Sequence, residues 1–289
     1  MSVIWLRSFE INRAGWDECI RHAFNGSVYG YSWYLDSVCW EWEGLVVGDY
    51  EMVMPLPMHK IGGVRIVANP FFLPYVSIYS RVKPSLDKIH QFFEAIPYGQ
   101  VKLCLLPFNG FPQFALSPKK IPHMVSLDLI MGYDSVDQRF ASLFLQDHYA
   151  KWEGQLSIVR TQNIGDYLAF KGAVGQKNTL EELYLKRLIS YALRFKSVGI
   201  YVAFDGVNMP VAMLILLKSD NRLVVVDTCC RRDDCGSSGL YYILRHVVRI
   251  NAESNLVINF PCRPFSLSEA SKPFCLHGVQ YRKGMMRFM

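Results

Sequence analysis

The feature that most constrains this chain is an internal echo. Its two halves read in the same order: two helices, a hairpin of strands, a third strand, a helix, and a strand ending in proline. The turn Gly48-Asp49 answers Asp205-Gly206. Arg65 answers Arg222 at an offset of 157, and Pro107 answers Pro261 at an offset of 154. A nearly constant offset is what duplication of one structural unit leaves behind. A chain of 289 residues holds two domains of ordinary size. The expected division is residues 1–140 and 141–289, with the join between Gly132 and Lys151.

Periodicity fills in the elements. Trp16, Ile20 and Ala23–Phe24 share a helical face, and a second helix follows over Tyr31 to Val38. Leu45–Val47 and Met52–Met58 read as strands, with Pro55 and Pro57 suited to an edge or a bulge. Val64–Ala68 is a further strand. A helix opens after Lys83-Pro84-Ser85, and Val101–Leu106 is a buried strand. In the second half, Leu156–Arg160 predicts a strand and Asn163–Lys171 a helix. The next helix has Thr179 as N-cap with Glu182 completing a capping box, and Gly199 marks its end. Strands follow at Ile200–Phe204, Val211–Leu217 and Leu223–Asp227. Arg231–Gly239 forms a loop into a helix whose apolar face is Leu240, Ile243–Leu244 and Val247–Val248. A strand at Leu256–Phe260, a short helix near Leu267–Leu276 and a strand near Gln280–Phe288 close the chain. The class is α/β, of the mixed α+β kind.

Composition narrows the functions. Half of the chain is hydrophobic (51%), which supports packed cores and excludes disorder. A net charge of +6 without long Lys/Arg runs is too mild for a dedicated nucleic-acid binder, so no DNA partner is expected. Arg7 and Glu10 interrupt any signal-peptide core. The longest apolar stretch, Met209–Leu217, falls short of the ~20 residues a membrane span needs. A soluble, cytoplasmic protein is expected. Its eight cysteines never form Cys-x-x-Cys, and free thiols are expected with no metal site. Phosphate-loop, dinucleotide, serine-hydrolase and zinc-protease motifs are absent.

The order of elements, together with Val28-Tyr29, Tyr34–Val38, Leu45–Glu51 and Val53–Pro57, resembles the GNAT acyltransferases. In its tandem form it resembles the FemAB-like proteins, in particular a bacterial group of unassigned function. That resemblance implies two tandem GNAT-like domains, each a mostly antiparallel mixed sheet flanked by helices. It also implies a cofactor loop in the second. GNAT enzymes hold the pyrophosphate of acetyl-CoA, or another acyl-CoA, on backbone N–H groups at a helix N-terminus, with the motif Arg/Gln-x-x-Gly-x-Gly/Ala. The matching stretch runs Arg231-Arg232-Asp233-Asp234-Cys235-Gly236-Ser237-Ser238-Gly239. Its glycines are three apart, Arg232 stands one residue too far from Gly236, and two aspartates bring negative charge. A plain helix start capped by Ser237 or Ser238 is the alternative.

By the same resemblance, Val226, Thr228 and Cys229 would offer backbone donors to the acyl carbonyl, Asp227 would serve as base and Tyr281 as acid. Tyr241 and Tyr242 are weaker acid candidates. Three functional readings stand. The first is an N-acyltransferase using acyl-CoA on a small-molecule or peptide amine. The second is a FemAB-like transferase drawing an amino acid from aminoacyl-tRNA. The third is a GNAT-fold binding protein whose cofactor loop has decayed.

Overall fold

The computed structural model describes the chain except residues 107–119, 146–148, 177, 196, 263–264, 266 and 285–289. Pro107 lies outside the described residues. The chain divides into two units. One comprises Met1–Pro122 with His277–Met289, and the other His123–Leu276.

In the first unit, β1 (Val3–Leu6), β2 (Glu41–Val47), β3 (Met52–Ile61) and β4 (Val64–Ala68) form an antiparallel meander, and β6 (Val101–Leu105) runs parallel to β4. The short β5 (Tyr79–Ser80) pairs with β3 at Met52–Val53, and β4 pairs with β3 at Met58–Ile61. Pro55 and Pro57 fall in the interval between them. Their missing N–H groups forfeit no ladder bond there, as the edge-or-bulge reading requires. Helices α1 (Arg13–His22), α2 (Ser32–Val38) and α3 (Leu86–Glu94) complete the unit. Asn12 caps α1 and Ser85 caps α3, each accepting backbone N–H groups of the first turn. Trp16, Trp42, Tyr34 and Phe92 are fully buried in this unit.

The second unit repeats the plan with β8 (Ser157–Thr161), α5 (Ile164–Ala173), α6 (Thr179–Arg194), β9 (Val198–Phe204), β10 (Pro210–Ser219), β11 (Arg222–Cys230), α7 (Asp234–Ile250) and β12 (Val257–Pro261). Strands β8 to β11 are antiparallel neighbours, and β12 runs parallel to β11. A strand from the other half of the sequence completes each sheet. β7 (Lys120–Asp128) follows β6 in the chain yet pairs with β12, and β13 (Cys275–Lys283) follows β12 yet pairs with β6. The sheet orders are therefore β13-β6-β4-β3-β2-β1 and β7-β12-β11-β10-β9-β8. The duplication read from the sequence is present in this shared order. The division falls at Pro122 rather than near residue 140, with the last strand returning to the first unit. Helix α4 (Tyr133–Ser142) occupies the expected join. Strand exchange has no signature in local periodicity, which is why the linear halves misplace the border.

Several local expectations shift. Asn178, not Thr179, caps α6, accepting from the Glu181 N–H at 3.2 Å. Gly199 lies inside β9, since α6 ends at Arg194. The closing helix is a 3₁₀ segment, Glu269–Phe274, and β13 begins at Cys275.

Helix α7 covers one sheet face of the second unit. Ile243, Leu244, Val247 and Val248 pack there with Leu214, Leu223, Val225, Ile258 and Phe260. Gly239 sets the depth of that packing. A Cβ there would meet the Ala212 Cβ at 2.8 Å and the Val211 Cγ2 at 3.0 Å. Gly239→Val is therefore expected to destabilise the protein by about 1–3 kcal/mol through overpacking. Urea unfolding of the two proteins checks this.

Candidate functional site

The second unit is built around an interrupted ladder. In β11, Val225 pairs with Leu216 and Asp227 pairs with Ile215, so Val226 is an extra, bulged residue. On the other edge of β11, pairing with β12 covers Arg222–Val257, Leu223–Ile258 and Val224–Asn259 and then stops. β11 runs on to Cys230 against β10, and β12 runs on to Pro261 against β7. Beyond Val224 the facing edges of β11 and β12 have no ladder partner among the described residues. A gap with backbone N–H groups along one wall results, and it opens where the bulge turns the strand.

The equivalent gap in the first unit is occupied. β4 pairs with β6 only through Val67–Val101 and Ala68–Lys102. Past that point Val76 bridges to Leu105, donating its N–H to the Cys104 carbonyl at 2.8 Å. The Asn69 Oδ1 accepts from the Cys104 N–H at 2.7 Å, and its Nδ2 donates to the Leu73 carbonyl. The chain itself satisfies this edge. Among the described residues, only the second unit combines an unpaired edge, a bulge and a long helix that starts directly after the strand.

Asp227 lies on the sheet face covered by α5 and α6. The buried ammonium of Lys171, on α5, donates to the Asp227 Oδ2 at 2.6 Å and to the Glu181 Oε1 at 2.7 Å. Burial raises the Asp227 carboxyl against the opposing pull of Lys171. Burial also works against the Lys171 charge, but the two carboxylates together outweigh it and hold the ammonium above the ordinary lysine range. The buried Tyr167 hydroxyl faces Asp227 and Cys229 without forming a well-aligned hydrogen bond. Burial pushes the Cys229 thiol up to about 12, too high for a thiolate nucleophile at neutral pH. At the end of the β11–β12 pairing sits Asn259. It is 1% exposed, and neither atom of its amide has a hydrogen-bond partner among the described residues. Its neighbours Ile258 and Phe260 point into the α7 core, so Asn259 shares the other face with Asp227.

The stretch Arg231–Gly239 is arranged differently from the loop the resemblance implies. Helix α7 begins at Asp234, so the two glycines and two serines belong to its first turns. Asp233 is the N-cap, correcting the expectation of Ser237 or Ser238. Its Oδ1 accepts the Gly236 N–H at 2.7 Å, and its Oδ2 takes two bonds from the Arg231 guanidinium at 2.9 and 2.7 Å. Despite some burial cost, these donors hold the Asp233 carboxyl below the usual range. Arg231 also reaches Asp205 at 3.3 Å, and Arg232 donates to the Gly175 carbonyl. The Ser237 hydroxyl donates back to the Asp234 carbonyl, and Ser238 is buried. A Cβ on Gly236 would lie 2.2 Å from the Arg231 carbonyl oxygen, so the turn itself requires glycine there. A protein carboxylate thus holds the position where a pyrophosphate would bind, and the residues present do not fit that group.

The other acid candidates scatter. Tyr281 lies in β13 of the first unit, opposite Leu103 and against the Phe93 ring at 4.6 Å. Tyr241 is buried and stacked on Tyr149, and the Tyr242 hydroxyl donates to the Tyr149 carbonyl. The structure brings Val226, Asp227, Thr228 and Cys229 together on one strand, with Arg231 to Gly239 following. Lys171, Glu181, Tyr167 and Asn259 were not read as site residues. The available signal was Lys171, a charge on the same α5 face as Tyr167 and Phe170.

No protein-family model matches the sequence, and no curated protein matches it. Solved structures do match, and the likeness is one of fold. FemX aligns over 98% of both chains, with a TM-score of 0.59 and 9% identity. A tandem GNAT protein from the clavulanic acid biosynthesis pathway, solved without acetyl-CoA, covers 99% of this chain and 100% of its own, with a TM-score of 0.55 and 10% identity. L-PGS from Bacillus licheniformis covers 96% and 93%, with a TM-score of 0.53 and 14% identity. Among the described residues, no helix is long and apolar enough to cross a membrane.

Two outcomes follow from this geometry. Lys171→Met leaves two carboxylates buried without their cation and is expected to cost about 3–5 kcal/mol at neutral pH. The Lys171 contribution is present below the ordinary lysine range and is lost only as pH rises through its raised value. The variant's deficit should nonetheless shrink as pH falls into the carboxylate range, because Asp227, left buried without its cation, takes up a proton there. Urea unfolding of both proteins from pH 8 to pH 5 measures the gap. Asp233→Ala removes the α7 cap and is expected to cost about 0.5–2 kcal/mol, read from the shift in the same unfolding midpoint.

Proposed function

We propose that the second unit is an acyl-transfer centre, moving an acyl group from an activated ester onto an amine. The observation that carries this reading is the open β11–β12 edge at the Val226 bulge, set against the filled equivalent in the first unit. Backbone N–H groups fixed along a strand edge stabilise the oxyanion that develops as an amine adds to a carbonyl. The amine nitrogen forms the new C–N bond, and its proton passes to the Asp227 carboxylate. As the C–O bond of the ester breaks, Asp227 returns that proton to the leaving oxygen, so the carboxyl ends as it began. Lys171 is a positioning residue, holding the Asp227 Oδ2 and leaving the group oriented for this exchange. The orphan amide of Asn259 supports a polar ligand at the same place. A buried, unpaired amide costs about 1–3 kcal/mol, which a bound partner would offset.

The Asp233 carboxylate at the α7 N-terminus weighs against acyl-CoA as the donor. It favours the FemAB-like alternative, in which the acyl group is an amino acid carried as an ester on tRNA, and no step is assigned to coenzyme A. The test is transfer from charged tRNA to surrogate amines, using a panel of amino-acid amides, beside acetyl-CoA as competing donor. Wild-type protein should accelerate transfer from charged tRNA. Asp227→Asn should slow it by about 10²–10⁴-fold. Acetyl-CoA should give neither product nor a shift in Tm. Saturable stabilisation by acetyl-CoA would overturn the donor assignment, and silence with both donors would overturn acyl transfer.

A further inference from the structure

A cavity of about 610 Å³ opens on the edge of the second unit, between α5 and the strands β8, β9 and β10. No step above uses it. Its floor and walls are apolar: Val159, Phe170, Val202, Phe204 and Met213 are among its lining. Thr161 adds a hydroxyl, and Asp166 is the one charged side chain on its wall among the described residues. Asp166 sits exposed in the first turn of α5 and has no ion-pair partner among the described residues. Val159 is 51% exposed, an apolar side chain held at the surface of this cavity.

We infer that this cavity binds a hydrophobic amine: an aliphatic or aromatic body in the apolar floor, with an ammonium against the Asp166 carboxylate. The volume falls within the ~300–1,000 Å³ of small-molecule sites, which are mostly apolar with a few placed polar groups. The sign of the single charge selects the ligand class. An ammonium gains from Asp166, a neutral alcohol does not, and a fatty carboxylate is repelled. The cavity is formed by β8, β9, β10 and α5, not by the bulged edge of β11, so it stands whether or not acyl transfer does.

Calorimetric titration of the full chain with n-butylamine, n-hexylamine and n-octylamine, beside n-octanol and octanoate, tests this. Affinity should rise by about fourfold per added methylene until the cavity is filled. It should fall in the order octylamine, octanol, octanoate. Asp166→Asn should weaken octylamine by about three- to fivefold, the size expected of an exposed charge pair, and leave octanol unchanged. Ala169→Trp and Ala173→Trp each place a large ring in the cavity from an exposed position on α5 and should abolish binding of every member. Equal affinity for octanoate and octylamine, no dependence on chain length, no binding at all, or unchanged binding in both folded tryptophan variants would overturn the inference. Amine binding without transfer activity would leave it intact and count against the acyl-transfer reading alone.

Discussion

The second unit depends on where one parallel strand pairing stops. β11 and β12 share a ladder for three residue pairs and then part, at the point where Val226 bulges out of the pairing with β10. A continuous ladder would consume the backbone donors of both edges and leave nothing to offer a substrate. The bulge relieves this by adding a residue on one strand only. β7 holds β12 from its other side, and β10 holds β11, so each wall of the gap stays anchored while the gap stays open. Asp227 and Asn259 take their positions from the same event, since both lie on the α5–α6 face beside it.

The buried charges read as the counterpart of that opening. Lys171 between Asp227 and Glu181 is a costly arrangement for a protein interior, and a hydrophobic trio of the same volume would be no less stable. It lies beside an unpaired sheet edge, where the proposed chemistry uses Lys171 to orient Asp227. The first unit shows the other solution to the same geometry. There Asn69 and Val76 satisfy the β6 edge, and the aromatic core around Trp16 and Trp42 serves stability. One duplicated plan thus yields one closed unit and one open one.

Much of the fold was legible in the sequence. The repeated order of elements survives because periodicity and turn residues are local, as at Gly48 and Asp205-Gly206. Strands at Leu45–Val47 and Val64–Ala68, and the apolar face of α7, fall where the pattern puts them. What was not legible is long-range. The exchange of β7 and β13 between the halves changes no local signal, so the pairing of β13, which carries Tyr281, with β6 could not be read from the linear halves. Asp233 was read as a defect in a phosphate loop, because its bonds to Gly236 and Arg231 depend on the turn's geometry and not on residue spacing. Asp227 was picked out by its place in a strand, while its partners on α5 and α6, 56 and 46 positions earlier, could be found only after folding.

The proposed site rests on the Val226 bulge. Deleting Val226 tests it most directly, because Val225 and Asp227 would then follow one another in regular register against Leu216 and Ile215, leaving Asp227 on its present face beside Lys171. The deletion variant is expected to fold with undiminished stability and to lose transfer from charged tRNA to amines. A folded deletion variant that transfers at the wild-type rate would contradict it.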